Sequence, residues 1–299
     1  MGVPMRDSLS CTAMAFSLIF APLAWAQTDA TVEAANATFP YSEMGEGKPI
    51  LFIHGALGDQ RVWEGIRDKA AAKHRFLALT LRHYGSGNWP DDKPYSRDVH
   101  EADQIAVLQA WNEPMHLVGY SYSGPIVLRA AIEVPDLVKS VTIYEPTFPS
   151  IIGGTPEGDA AIEQWYDGFA DTGAAAQAGD LKEATREAIE YVFGWEEGGF
   201  EVLPESVRVQ MLENAHTLPL DATAAQPAPL TCEQLATAKT PTMLIVGSDT
   251  YPVFRQGDEA IAGCMPNADV RTLDGVGHGG PIMAQDAFLS TVLEFVDQQ

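Results

Sequence analysis

One eleven-residue stretch, Met115-His116-Leu117-Val118-Gly119-Tyr120-Ser121-Tyr122-Ser123-Gly124-Pro125, constrains this chain more than any other. It reads as a short apolar strand, an abrupt turn carrying Ser121, and a helix through Ile126-Val127-Leu128-Arg129-Ala130-Ala131. A backbone that reverses so sharply needs small residues two positions before and two after the serine, which is the physical basis of G-x-S-x-G. Gly119 satisfies this; Ser123 stands where glycine is commoner, with Gly124 directly after it. Pro125 suits a helix's first turn, where its missing N–H would have had no partner. Such a turn lifts a serine hydroxyl off the edge of a sheet, within reach of a base. Taken alone, the five residues also fit a chance small-residue loop; the strand before and the helix after favour the turn.

The N-terminus has the form of an export signal. Arg6 precedes the apolar run Ala13-Met14-Ala15-Phe16-Ser17-Leu18-Ile19-Phe20-Ala21, and Ala24-Trp25-Ala26 supplies a small-x-small cleavage pattern. The run is shorter than the ~20 residues of a spanning helix, and Pro22 interrupts it. Cleavage after Ala26 is therefore expected, with the mature chain in the periplasm or the medium. Cys11 would leave with the signal, and the remaining Cys232 and Cys264 would form one disulfide in an oxidising compartment, the alternative being two buried thiols. The formal net charge is −23, from 18 basic and 41 acidic residues, and it stays −23 after cleavage because Arg6 and Asp7 cancel. A charge of that sign repels nucleic acid and anionic lipid, so no nucleic-acid partner and no membrane association of the mature chain are expected.

From residue 27 the chain alternates strand and helix. Thr31 to Gly47 reads as one or two edge strands, and Pro49-Ile50-Leu51-Phe52-Ile53 as a strand covered on both faces. That strand ends in His54-Gly55-Ala56-Leu57-Gly58. A helical pattern (Val62, Ile66, Lys69, Ala70), the strand Phe76 to Leu79 and a second helical pattern (Val99 to Leu108) then lead to the Met115 strand. A further strand, Val138 to Tyr144, closes at Glu145-Pro146. The spacing predicts only helical pieces from 148 to 230. The strand Thr242 to Val246, a helix from Val253 to Ala262, a strand from Asp269 to Leu273 and a last helix from Ile282 to Val296 follow. The expected class is α/β, a mostly parallel doubly wound sheet built from 27–147 and 231–299 with a helical cap inserted at 148–230.

The order of these pieces resembles the α/β-hydrolase fold: a His-Gly loop after the third strand, a serine turn after the fifth, a helical cap after the sixth, an acid after the seventh and a histidine after the eighth. The resemblance covers essentially the whole mature chain, and it implies a serine hydrolase that needs no cofactor and no metal. Ser121 is the implied nucleophile. The family order of Ser, acid, His leaves two of the seven histidines after Ser121, namely His216 and His278. His216 precedes the seventh strand, whereas His278 lies in Gly275-Val276-Gly277-His278-Gly279-Gly280 just past a strand end, so His278 is the implied base. Asp249, in Gly247-Ser248-Asp249, is the implied acid; Glu145 at the end of the sixth strand is the rival, and Asp274 a remote third. The backbone N–H groups of Ala56, behind His54-Gly55, and of Tyr122 are the implied oxyanion donors.

No H-E-x-x-H or zinc-spaced cysteine pair is present, and no G-x-G-x-x-G follows a first strand, so neither a zinc site nor a dinucleotide is implied. Serine rather than aspartate at 121 argues against the dehalogenase and epoxide-hydrolase branches. Trp63, Trp89, Trp111, Trp165 and Trp195 are expected chiefly to pack, although Trp165, Tyr166, Phe169, Tyr191, Phe193 and Trp195 fall in the cap and are expected in part to line an apolar pocket over Ser121. The expected substrate is an uncharged, moderately apolar small-molecule ester. Perhydrolases, C–C hydrolases and lyases of this fold use the same triad, and a non-catalytic ligand-binding member of the fold is the remaining alternative.

Overall fold

The computed structural model describes residues 1–2, 28–85 and 89–299. The export signal read in residues 1–26, with its cut after Ala26, lies outside these apart from Met1 and Gly2, as do Ser86 and Gly87. No described helix is long and apolar enough to cross a membrane.

Eight strands form one sheet: β1 (Thr28–Ala34), β2 (Ala37–Met44), β3 (Pro49–Ile53), β4 (Arg75–Leu79), β5 (Met115–Tyr120), β6 (Val138–Tyr144), β7 (Thr242–Gly247) and β8 (Ala268–Leu273). Their spatial order is β1-β2-β4-β3-β5-β6-β7-β8. β1 pairs with β2 and β2 with β4 antiparallel, and all other pairs are parallel. The parallel pairs are joined by helical crossovers: α1 (Glu64–Ala71) and α2 (Arg97–Trp111) before β5, and α3 (Gly124–Glu133) before β6.

The apolar runs are strands because both faces of the sheet are covered. Leu51, Ile53, Leu77, Leu79, Leu117, Val141, Ile143 and Leu244 point to a core shared with α2 and α3. Their neighbours Ile50, Phe52, Phe76, Ala78, Val118, Met243 and Ile245 point to the opposite core. A period of two with apolar residues in both phases is what a sheet with helices on both faces requires.

Between β6 and β7 every regular element is helical. The run comprises α4 (Pro149–Ile152), α5 (Pro156–Asp167), α6 (Ala170–Gln177), α7 (Leu181–Phe193), α8 (Glu205–Glu213), α9 (Thr217–Thr223) and α10 (Cys232–Leu235). Ala188, Ile189 and Phe193 of α7, with Phe200, Leu203, Val207 and Met211, join the second sheet core directly. Trp165 of α5 packs with Val253 and Phe254 of α11 (Pro252–Cys264). The segment therefore shares its core with the sheet. The last helix differs from the expected single piece, breaking at Ala284 into α12 (Gly280–Met283) and α13 (Gln285–Gln298). The short Gly279-to-Met283 turn is what lets the preceding glycine loop re-enter the molecule.

Cys232 and Cys264 are disulfide-bonded across a sequence separation of 32. The bond ties α10, where the chain returns from the cap, to the C-terminal end of α11. Closing a loop of that length contributes on the order of 3–4 kcal/mol in the chain-entropy model. Thiol titration of the denatured, unreduced protein lacking residues 1–26 should detect no free thiol; two would show that the bond does not form.

Candidate active site

Ser121 sits at the C-terminal end of β5 with φ +52, in the left-handed region that a non-glycine residue enters only when its surroundings hold it there. The small neighbours explain how. A Cβ on Gly119 would lie 2.9 Å from Val127 Cγ2 and 3.1 Å from the Ser123 carbonyl, so α3 packs close only because residue 119 has no side chain. Ser123 is fully buried, and its hydroxyl makes the turn rather than merely fitting it. It donates to the Ile53 carbonyl at 2.8 Å and accepts the Tyr120 N–H at 2.9 Å. A glycine at 123 could not tie the turn to the end of β3.

That tie matters because the His54–Gly58 loop starts at Ile53. A Cβ on Gly55 would stand 3.2 Å from the Tyr120 carbonyl and 3.3 Å from Ser121 Cβ, so glycine is what allows this loop to lie against the serine. His54 is fully buried, and burial pushes its pKa down to about 4. Its Nε2 accepts the Leu81 N–H at 3.0 Å, which leaves Nδ1–H to donate to the Gly55 carbonyl at 2.8 Å. His54 is thus a neutral brace for the loop. Ala56 is the loop's exposed residue, and its N–H donates to no other described residue. Tyr122 lies in the first turn of the short helix Ser121–Ser123, where amides have no partner within the helix. Its hydroxyl is held by His100 Nδ1 at 2.8 Å, a contact with no signal in the sequence.

His278 comes from the loop between β8 and α12. Tyr144 Oη donates to the Gly277 carbonyl at 2.6 Å and Tyr120 Oη to the His278 carbonyl at 2.9 Å, so the tyrosines ending β6 and β5 hold the loop over the sheet. The imidazole stacks on Phe254 of α11, with centroids 4.2 Å apart and planes 11° from parallel, and its other aromatic neighbours are Tyr120 at 5.3 Å and Phe193 at 6.3 Å.

The carboxylate that meets this imidazole is Glu145, not the expected Asp249. Glu145 Oε2 lies 2.7 Å from His278 Nδ1. The same carboxylate accepts the Gly247 N–H at 2.7 Å through Oε1 and the Thr250 hydroxyl at 2.9 Å through Oε2. Glu145 is fully buried and has φ +44, a second non-glycine residue in the left-handed region, again at a strand's C-terminal end. That turn folds its longer side chain under the β7–α11 loop. Asp249 does not meet the imidazole: it is exposed, its backbone N–H is committed to the Val276 carbonyl, and its Oδ1 accepts the Ser248 hydroxyl at 2.7 Å. Asp274, the remote third, is exposed.

His216 is far from this arrangement in its bonding, between the Glu213 and His83 carbonyls. Of the cap aromatics, Phe193 lines a cavity of about 290 Å³ beside His278, while Trp165, Phe169 and Tyr191 pack on one another and Tyr166 is exposed. Among the described residues no group of three His, Cys, Asp or Glu side chains could hold a metal ion.

A second carboxyl lies near Glu145. Asp258 of α11 is fully buried, and neither oxygen has a hydrogen-bond partner among the described residues. Burial above all, and then the Glu145 charge, push its pKa well above the ordinary carboxylate value, against the opposing pull of Arg255.

A family model described as the alpha/beta hydrolase family matches residues 50–291. A 2-hydroxymuconate semialdehyde hydrolase from Pseudomonas sp. (strain CF600) is 31% identical over 114 residues, 37% of this chain and 40% of that protein. A probable lysophospholipase from Arabidopsis thaliana is 30% identical over 112 residues, 35% of this chain and 24% of that protein. The chain thus spans less than half the length of these relatives. Among solved structures, a carboxylesterase from Bacillus subtilis superposes with TM-score 0.73 at 16% identity, covering 92% of this chain and 93% of its own. A bromoperoxidase from Bacillus anthracis gives 0.72 at 23%, covering 90% and 100%. At such identities these structures share the fold.

The raised Asp258 pKa has a signed consequence for stability. The unfolded carboxyl ionises near pH 4 while the folded one stays protonated, so the folded state loses about 1.4 kcal/mol per pH unit above that point, until Asp258 itself ionises. Asp258→Asn carries no such group. Its melting temperature should therefore gain on that of the unmodified protein as pH rises from 4 to 8; a difference independent of pH would refute the assignment.

Proposed function

We propose that this chain, which belongs to the alpha/beta hydrolase family, is an exported serine hydrolase that cleaves a small, moderately apolar carboxylic ester. The observation that carries the reading is the bond from His278 Nδ1 to a buried carboxylate at 2.7 Å, on an imidazole whose loop is tied to Tyr120, the residue before Ser121. With Nδ1–H given to Glu145, Nε2 is the nitrogen that serves Ser121.

Ser121 Oγ attacks the acyl carbonyl as His278 Nε2 takes its proton, and the Ala56 and Tyr122 N–H groups receive the oxyanion. The imidazolium so formed is stabilised by Glu145, whose charge is fixed in place by the Gly247 and Thr250 donors. His278 then protonates the departing alcohol, and water, activated in the same way, hydrolyses the acyl-enzyme. No cofactor enters any step. Support for an apolar substrate comes from Phe193 of the cap, which lies beside His278; support for export comes from the leader pattern before Gln27 and the Cys232–Cys264 bond.

Ser121→Ala should abolish labelling by a fluorophosphonate and lower kcat on a nitrophenyl ester by several orders of magnitude, with the melting temperature nearly unchanged. Turnover retained in that variant would end the nucleophile assignment. Glu145→Gln should lower kcat by roughly 10³–10⁴-fold, the scale seen when the orienting carboxylate of such a triad is neutralised. Asp249→Asn should cost far less; the reverse ranking would restore Asp249 as the orienting acid.

A further inference from the structure

Asp249 stands at the site without orienting His278. It is exposed, and among the described residues no cation lies within ion-pairing distance of it. Together with His278, Gln164, Phe193, Thr250 and Tyr251 it lines the cavity of about 290 Å³. Two of the hydroxyls there are already committed: Thr250 donates to Glu145 and Tyr251 to the Tyr191 carbonyl. Arg255, the nearest cation along the chain, is turned toward the end of β7, donating to the Gly247 carbonyl at 2.9 Å, and does not line the cavity. What the walls offer an occupant is thus one carboxylate with no cation among the lining residues, beside the aromatic carbon of Phe193 and Tyr251, surroundings that attract a cation and repel an anion. The chain's net charge of −23 acts in the same direction at longer range.

The position of the cavity says which half of a substrate it takes. His278 is part of its wall and Ser121 is not. The imidazole is the group that hands a proton to the departing oxygen, so the departing alcohol lies on the His278 side of the scissile bond.

We propose that this cavity binds the alcohol half of the ester and selects for an amine or quaternary ammonium group on it, with Asp249 as the specificity-determining carboxylate. This rests on the serine-esterase reading above, and it revises the uncharged substrate expected from the sequence on the alcohol side only. No new bond is involved; the charge acts through binding and should appear chiefly in KM.

The test compares two butyrate esters of matched shape, butyrylcholine and 3,3-dimethylbutyl butyrate, in which carbon replaces the charged nitrogen. Nitrophenyl butyrate serves as the common control, and acid release is followed at constant pH. The unmodified protein should favour the cationic ester in kcat/KM by about tenfold, a preference that shrinks as salt is added. In Asp249→Asn the ratio of the two esters should fall to within about twofold of unity, and Asp249→Glu should recover most of it. Equal rates on the two esters in the unmodified protein, or an undiminished ratio in Asp249→Asn, would overturn the proposal. So would turnover of nitrophenyl butyrate with neither test ester accepted. Failure on all three esters together with absent phosphonate labelling would instead remove the serine-hydrolase reading on which the proposal stands.

Discussion

Everything at this site depends on two backbone reversals at the carboxyl ends of adjacent parallel strands. Ser121 after β5 and Glu145 after β6 both adopt positive φ, a conformation that costs an ordinary residue on the order of 1–3 kcal/mol. Each is held by its surroundings. Gly119, Gly124 and Ser123 make room for and fasten the first turn. Around the second, the Gly247 amide, the Thr250 hydroxyl and the His278 ring close on the Glu145 carboxylate. Relaxing either turn would carry its side chain back along the strand and away from its partner.

The sheet makes these reversals affordable by being covered on both faces. With Leu51, Ile53 and Leu117 in one core and Ile50, Phe52 and Val118 in the other, the strands have no freedom to slip in register. The helical cap adds to the second core and does not sit on it as a separate body. α11 links the layers: its Phe254 packs against Trp165 of the cap and stacks on His278, and its far end is bonded through Cys264 to Cys232. Cap, imidazole and sheet are therefore mechanically one unit.

Much of this was legible in the residues. Doubly apolar strand runs, glycine-bounded turns and the strand–Ser121–helix pattern carry local signals of period and size, and they point to a mostly parallel sheet and to Ser121; His278 follows from the order of the pieces along the chain. The identity of the carboxylate carried no such signal. Asp249 and Glu145 both follow strand ends, and the family resemblance favours the acid after the seventh strand. The choice turns on φ at residue 145 and on the contacts that hold the Glu145 carboxylate, with Gly247, Thr250 and His278, all over a hundred residues away in sequence. For the same reason Ser123 read as a departure from a glycine pattern, although it is a hydrogen-bonding strut.

Residue pattern alone was enough for the fold class, the serine turn, the pairing of Cys232 with Cys264 as an expectation, and the all-helical character of the segment after β6. These follow from local periodicity, residue size and counting. It takes the folded chain to bring Glu145 to His278, to set Phe254 and Tyr120 beside the imidazole, and to leave Asp249 on the wall of a cavity. Those are meetings of side chains from separate strands and loops, and a chain's local pattern does not encode which of several carboxylates its folding brings within 3 Å of a given ring.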